Sequence, residues 1–332
     1  MSLTESLKRV RGAVGRDIVA THAYYFIDGG RVTTTDGRMV ASTPIDDDRT
    51  YMVPADQFDA VLSRMPDVPT IEVNADHVLV KCGRYRSKVS TLETDGIIFP
   101  QPQGDIHKVP KTLGDKLDKL RPFISENAQH RWAGCYQFRD GGIFATNNVT
   151  LARTPASGFS QGFDLLLPHW AVDFVRALEG LPGKMQIEEN SATFHWKDTT
   201  WLRTQLLVDK FPEKAIEYLS NVAPPAFEIT DEWREAYDTV SGLIDSTTAQ
   251  TSRDAAVVAI YADKITGVGD KTNIEAAVTS QTPGDGSKDH SKWTIKFFSN
   301  VVKASKAMDL SLYPKPCSFQ GDDLIGLMVG RY

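Results

Sequence analysis

The chain has 332 residues, 41% apolar and 24% charged, with a net charge of −6. It is longer than one typical domain of about 100–200 residues and has a globular composition, which excludes a disordered or fibrous chain and predicts two or three domains. Apolar runs such as LLLP at 165–168 fall far short of the roughly 20 residues of a membrane span, and the N-terminus has no uninterrupted apolar segment.

Three isolated cysteines, Cys82, Cys135 and Cys317, and dispersed histidines fit neither a disulfide framework nor a zinc site. The expectation is a cytoplasmic protein without membrane, metal or cofactor.

In chain order, residues 2–15 read as an amphipathic helix with a Ser2/Glu5 capping box and a Leu7, Val10, Val14 stripe. The hairpin FIDGGRVTTTDGRMVASTP follows at 26–44, its glycines supplying the positive φ of a tight turn. VPADQFDAVLSRMP predicts a helix with Phe58, Val61, Leu62 and Met65 on one face. TIEVNADHVLVKCGRYRSKVSTL at 70–92 predicts two alternating strands, closed by Phe99-Pro100.

The order then recurs. KTLGDKLDKLRPFI carries the stripe Leu113, Leu117, Leu120, Ile124, and FRDGGIFATNNVTLARTP at 138–155 repeats the hairpin. LPHWAVDFVRALEGLP repeats the second helix through Ala171, Phe174, Val175 and Leu178, two strands follow at 184–208, and Phe211-Pro212 closes the unit. An offset of 112 matches Phe26 with Phe138, Asp28 with Asp140, Thr34 with Thr146 and Phe99 with Phe211.

A third, more divergent copy fits the remainder. TDEWREAYDTVSGLID is its opening helix, AAVVAIYA and KITGVG are strands, and TPGDGSKDH at 282–290 is an exposed loop. SNVVKASKAM is its second helix, and LSLYP, CSFQ and LIGLMVGRY are closing strands. The reading is α+β, with similar domains at 1–107, 108–223 and 224–332.

Basic residues lie off the apolar stripes: Lys8, Arg9 and Arg11 in the first helix, and Lys108, Lys111, Lys116, Lys119 and Arg121 against Asp115 and Asp118 in the second unit. Lys303 and Lys306 are expected to share one face of the last helix. Each face reads either as a solvated surface or as part of a phosphate track, which binds by counterion release without reading sequence. The 231–245 helix dissents, with Asp231, Glu232, Glu235, Asp238 and Asp245 against Arg234. No zinc finger or base-reading signature is visible.

The ordered set VPADQFDAVLSRMP, LVKCGRYRSKVSTL, IFATNNVTLART, LLLPHWAVDFVRALEG and LRTQLLVDKFPE resembles the bacterial DNA polymerase III beta subunit, the sliding clamp family, over essentially the whole chain. The resemblance implies a DNA clamp fold: three domains per chain, two chains per ring, helices lining a central hole and antiparallel sheets outside. It also implies a non-enzymatic processivity factor that encircles double-stranded DNA, holds a DNA polymerase near the primer end and is placed by a clamp loader. Carried over by position, DNA-facing cations would be Lys8, Arg9, Arg11, Lys111, Lys116, Lys119, Arg121, Lys303 and Lys306. The partner-peptide pocket would involve Trp132, Thr146, Asn148, Val149, Thr150, Leu151, Pro212, Ile216, Ser318, Met328, Val329, Arg331 and Tyr332. The homodimer interface would use Arg84, Arg86 and Val89 against Leu243 and Ile244. Asn147-Asn148-Val149-Thr150 and the tail MVGRY depart from the family's wording, as a divergent or phage-encoded clamp with its own partners would require.

Two rival readings differ in class. GFSQG at 158–162 matches the Gly-x-Ser-x-Gly elbow of serine hydrolases with Ser160 as nucleophile, but Pro155 before it and a strand-like FDLLLP after it are the wrong context. The other rival keeps the fold as an interaction scaffold that never encloses DNA, motivated by the acidic helix and the altered pocket.

Overall fold

The computed structural model describes residues 2–15, 19–126, 129–156, 158–159, 162–248, 256–268, 273–279 and 290–331. Two compact units emerge, residues 1–111 with 170–206 and residues 112–169 with 207–332.

Helix α1 (Leu3–Val10) starts on the expected capping box: the Ser2 hydroxyl accepts from the Glu5 N–H and the Glu5 carboxylate accepts from the Ser2 N–H. It tightens into a 3-10 turn at Arg11–Ala13, so Leu7 and Val10 are buried but Ala13, rather than Val14, continues the core. Strands β1 (Tyr24–Asp28), β2 (Arg31–Thr35), β3 (Met39–Pro44) and β4 (Tyr51–Pro54), helix α2 (Ala55–Leu62) and strands β5 (Thr70–Val73), β6 (His77–Cys82) and β7 (Tyr85–Ser90) follow. Residues 70–92 thus hold three strands instead of two, and so do residues 184–208, with strands at Lys184–Glu188, Ser191–His195 and Trp201–Gln205. Turns at Asn74, whose N–H donates to His77 O, and at Gly83, with φ of 55°, divide the alternating run.

Next come β8 (Asp105–Lys108), α3 (Leu113–Leu120), β9 (Cys135–Arg139), β10 (Gly142–Thr146), β11 (Thr150–Pro155), β12 (Asp164–Pro168), α4 (His169–Ala177), β13 (Lys184–Glu188), β14 (Ser191–His195) and β15 (Trp201–Gln205). The chain finishes with α5 (Glu213–Asn221), β16 (Phe227–Glu228), α6 (Asp231–Thr247), β17 (Val257–Ile260), β18 (Lys264–Val268), β19 (Asn273–Ala277), β20 (Ser291–Thr294), α7 (Ile295–Ala304), β21 (Ala307–Asp309), β22 (Cys317–Gln320) and β23 (Ile325–Met328).

The first unit holds an eight-stranded antiparallel sheet ordered β4-β1-β2-β3-β15-β14-β13-β8 and a three-stranded sheet β5-β6-β7. The second holds an eight-stranded sheet ordered β12-β9-β10-β11-β23-β22-β21-β16 and a four-stranded sheet β19-β18-β17-β20. One four-strand order therefore occurs three times, with β3, β11 and β19 at the same edge. A three-strand order also occurs three times, with β7, β15 and β23 at its matching edge.

The strand registers correct the repeat offset. Asp28 pairs Arg31 in the first hairpin and Arg139 pairs Gly142 in the second, so the copies align at 111 (139 − 28) rather than 112. The reason is the turn, which needs two successive positive φ values: Gly29 (53°) and Gly30 (74°) supply them first, Asp140 (50°) and Gly141 (70°) second. The two Asp-Gly-Gly strings are one residue out of phase with the fold.

Two expectations in the last third also change. LSLYP forms turns, closed by Tyr313 N–H to Leu310 O and Lys315 N–H to Leu312 O, and the strand lies earlier, at β21. Lys306 is not on the helix face of Lys303: α7 stops at Ala304, Ser305 is extended, and the Lys306 N–H donates to Gln320 O. The 282–290 loop lies outside the described residues apart from His290, and Ser160 lies outside them altogether.

Helices α6 and α7 show why the divergent copy folds. Thr230 caps α6, and Trp233, Tyr237, Val240 and Ile244 recur at helical spacing and are at most 1% exposed. Gly267 on β18 lets α6 approach, since a Cβ there would lie 2.5 Å from Ile244. Trp233 stacks on Tyr237 at 5.7 Å, and Phe298 of α7 meets Tyr237 edge-on at 5.3 Å.

Candidate functional site

In the second unit, β11 pairs β23 with Thr150 opposite Met328, Leu151 opposite Leu327 and Ala152 opposite Gly326. Gly326 is required there because a Cβ would sit 2.1 Å from the Phe319 ring. The turn entering β11 is built from its own side chains. The Thr146 hydroxyl donates to Thr150 O at 2.6 Å, and Asn147 Oδ1 accepts the N–H groups of Val149 (3.1 Å) and Thr150 (2.8 Å). Asn148 takes φ of 73°, a conformation Asn tolerates better than most side chains.

Beside this junction lies an apolar cluster of Cys135, Phe144, Leu151, Leu166, Phe211, Leu219 and Leu327, with half-buried Trp132, Leu207, Ala215, Ile216, Val222 and Ile325 packed against it. Trp132 meets Phe211 edge-on at 5.8 Å and stacks on His130 at 5.1 Å. Burial, with a smaller contribution from the Asp209 charge, pushes the Cys135 thiol up to about 12.

The sequence-derived pocket residues divide by exposure. Thr146, Thr150, Leu151, Ser318 and Met328 are buried in the sheet junction, whereas Trp132, Val149, Pro212 and Ile216 are half-buried and Asn148, Val329 and Arg331 are exposed. Val329 donates its N–H to Val149 O, and Arg331 to Lys292 O. Tyr332 lies outside the described residues. Sequence reasoning missed Leu207, Ala215, Leu219, Val222 and Ile325. The available signal was Ile216 and Leu219 at i and i+3 behind Pro212, which is the N-cap of α5.

No protein-family model and no curated protein matches the chain. Among solved structures it is similar to the DNA polymerase III subunit beta from Pseudomonas aeruginosa, with a TM-score of 0.79, 16% identity, and coverage of 99% of this chain and 97% of that one. The Bacillus subtilis DNA polymerase sliding clamp gives the same four values. A Helicobacter pylori beta clamp bound to a DNA ligase peptide gives 0.78 at 13% identity, covering 99% and 98% of the two chains.

The chain has the sliding-clamp fold. Within it, most of the cations singled out from the sequence are engaged in ion pairs. Arg9 meets Asp198 at 3.0 Å; Arg11 pairs with Asp56, and with Asp59 at 3.1 Å. Lys119 meets Asp323 at 2.5 Å, Lys116 lies 3.8 Å from the same carboxylate, Arg121 pairs with Glu126, and Lys306 pairs with Asp322. Lys8 and Lys111 are exposed with no ion pair among the described residues, and Lys303 lines a cleft with Asp118, Asp322 and Asp323. On α6, Arg234 turns toward α7 and donates to the carbonyls of Val302 and Ser305, the latter at 2.9 Å, while the exposed Glu232 carboxylate of that helix accepts the N–H and hydroxyl of Thr279 at 2.7 and 2.8 Å.

At the β7 edge, Arg84 and Arg86 are exposed, whereas Val89 is 2% exposed and faces its own unit. Leu243 is exposed, but Ile244 is buried against Gly267, and the edge strand beside α6 is β19.

Proposed function

We propose that this chain is a DNA polymerase processivity factor: three modules, 1–107, 108–223 and 224–332, joined head to tail with a second copy into a ring around duplex DNA. One observation carries the reading. Both junctions inside the chain, β3 with β15 and β11 with β23, pair the same edge of a four-strand set with the same edge of a three-strand set. The two remaining edges of those kinds are β19 and β7. Exposed strand edges invite pairing, and β7 of one copy on β19 of another would repeat the junction, while two-fold symmetry would close the assembly. Arg86 and Lys88 on β7 and Glu275 on β19 are of opposite sign, and Glu275, which Lys264 holds at 2.9 Å, would be shared between the two strands.

The same reading makes the Trp132–Ile216 surface a docking site for polymerase and other partner peptides; the Helicobacter pylori relative is bound to a DNA ligase peptide. The protein catalyses nothing and holds its partners at high local concentration on DNA. A clamp loader would open the ring. The cations Lys8, Lys111 and Lys303 would face phosphate, and the paired ones would exchange carboxylate for phosphate on binding. The test is retention on nicked circular DNA that is lost after linearisation.

The ion pairing of Arg9, Arg11, Lys116, Lys119, Arg121 and Lys306 favours a second reading, a scaffold of clamp fold that encloses no DNA. Equal retention on circular and linear DNA would select it.

A further inference from the structure

The β11 turn has a counterpart in the first unit. There the Thr35 hydroxyl donates to Met39 O at 2.7 Å, the Gly37 N–H donates to Thr35 Oγ1 at 3.0 Å, and Asp36 Oδ1 accepts the N–H groups of Arg38 (2.8 Å) and Met39 (2.7 Å). Each of these bonds has its partner 111 residues later, down to the Asn148 N–H donating to Thr146 Oγ1 at 3.2 Å. Gly37, at φ of 84°, stands where Asn148 stands. Val40 opposite Arg203 takes the place of Leu151 opposite Leu327. Phe99 packs on Phe26 of β1 at 5.3 Å and Phe211 on Phe144 of β10 at 6.5 Å, so each closing Phe seats on its own sheet but on a different strand of it.

This second junction opens into a cleft of about 370 Å³ within the first unit. Its wall is Ile97, Ile98 and Phe99, with Ile98 90% exposed. Its charge differs from that of the first site: Arg38 replaces Val149 and Arg203 replaces Leu327, His22 adds an imidazole, and no lining residue is acidic. Arg38 reaches Asp36 at 3.3 Å and Arg203 reaches Glu188 at 2.8 Å, but each contact uses one of the five guanidinium N–H donors. Arg38 is also held over the Trp170 ring at 4.7 Å, so its head group is positioned in advance.

We propose that this cleft is a second docking groove, which takes an extended acidic peptide: an apolar side chain on Ile98 and Phe99, and a carboxylate on Arg38 and Arg203. Charge selects the occupant. The guanidinium donors left over from the Asp36 and Glu188 pairs, beside an apolar wall with no acidic lining residue, favour an anchor flanked by Asp or Glu and disfavour one flanked by Lys. The chain then has two grooves of one backbone design and different charge, able to hold two partners of different composition.

The test uses the full chain and the peptide Gly-Asp-Leu-Asp-Phe-Gly with a photoreactive benzophenone in place of the Phe ring, with cross-links mapped by mass spectrometry. Cross-links at 97–100 are expected, reduced by about tenfold in Arg38→Glu and in Ile98→Asp, both at exposed positions, and unchanged in Ile216→Asp. A Gly-Lys-Leu-Lys-Phe-Gly probe should not label this segment. Absence of cross-links at 97–100, undiminished labelling in both variants, or equal labelling by the lysine probe overturns the proposal. Retention on circular DNA is read separately, so failure of the groove and failure of the ring are distinguishable.

Discussion

Asp36 and Asn147 hold equivalent turns in the two units: Oδ1 of Asp36 accepts the Met39 N–H at 2.7 Å, and Oδ1 of Asn147 accepts the Thr150 N–H at 2.8 Å. Each side chain replaces a backbone turn and sets the entry angle of the strand that follows it, β3 or β11. Asn147→Ala should leave two N–H groups at a buried junction without an acceptor. A loss of about 1–3 kcal/mol in urea denaturation is expected, with weaker peptide binding at the Trp132–Ile216 surface.

Ile216→Asp places a charge against the apolar cluster beside Phe211 and Trp132. Partner-peptide affinity should fall by at least about tenfold while the solution mass of the protein stays unchanged. Isothermal titration with light scattering separates the two effects.

Ring closure makes a prediction about mass. The wild-type chain should scatter as twice 36.7 kDa, and Arg86→Glu with Lys88→Glu on β7 should give the single chain and lose topological retention on circular DNA. Both side chains are exposed, so the variant's circular dichroism and melting should match wild type.

Asp47 gives a pH dependence. Burial raises its carboxyl, but hydrogen bonds from Arg49 and from the Tyr51 hydroxyl outweigh that and hold it below the ordinary range. The folded value lies below the unfolded one, so this stabilisation is complete above the unfolded value near about 4 and is lost as pH falls through the folded value. Asp47→Asn should cost about 1–3 kcal/mol at pH 7, and the gap to wild type should close in acid denaturation below about pH 4.

The Cys135 thiol, 1% exposed and shifted up to about 12, should resist alkylation in the native protein at pH 8. Rapid modification by iodoacetamide before unfolding would show that the cluster beside Trp132 opens.

Local chemistry was readable from the sequence: the Ser2/Glu5 box, the Leu113, Leu117, Leu120 stripe and the two Phe-Pro closings all signal through neighbours a few residues apart. The offset was misread because Asp140 can take the backbone conformation of Gly29, so identical letters fell out of phase with equivalent positions. The extra strands at 70–92 depend on turns that alternation alone does not mark. Neutralised cations were beyond reach for another reason: Lys119 meets Asp323 across 204 residues of sequence, a distance over which no pattern in the chain specifies a pair.

The pairing of Ser42 with Trp201 carries a consequence for biosynthesis. When β3 leaves the ribosome, its partner is 159 residues (201 − 42) from being made, roughly 8–30 s at 5–20 residues per second. A nascent chain therefore carries a bare hydrogen-bonding edge during nearly half of its translation, and chaperone occupancy should concentrate on that interval, ending when residue 205 emerges.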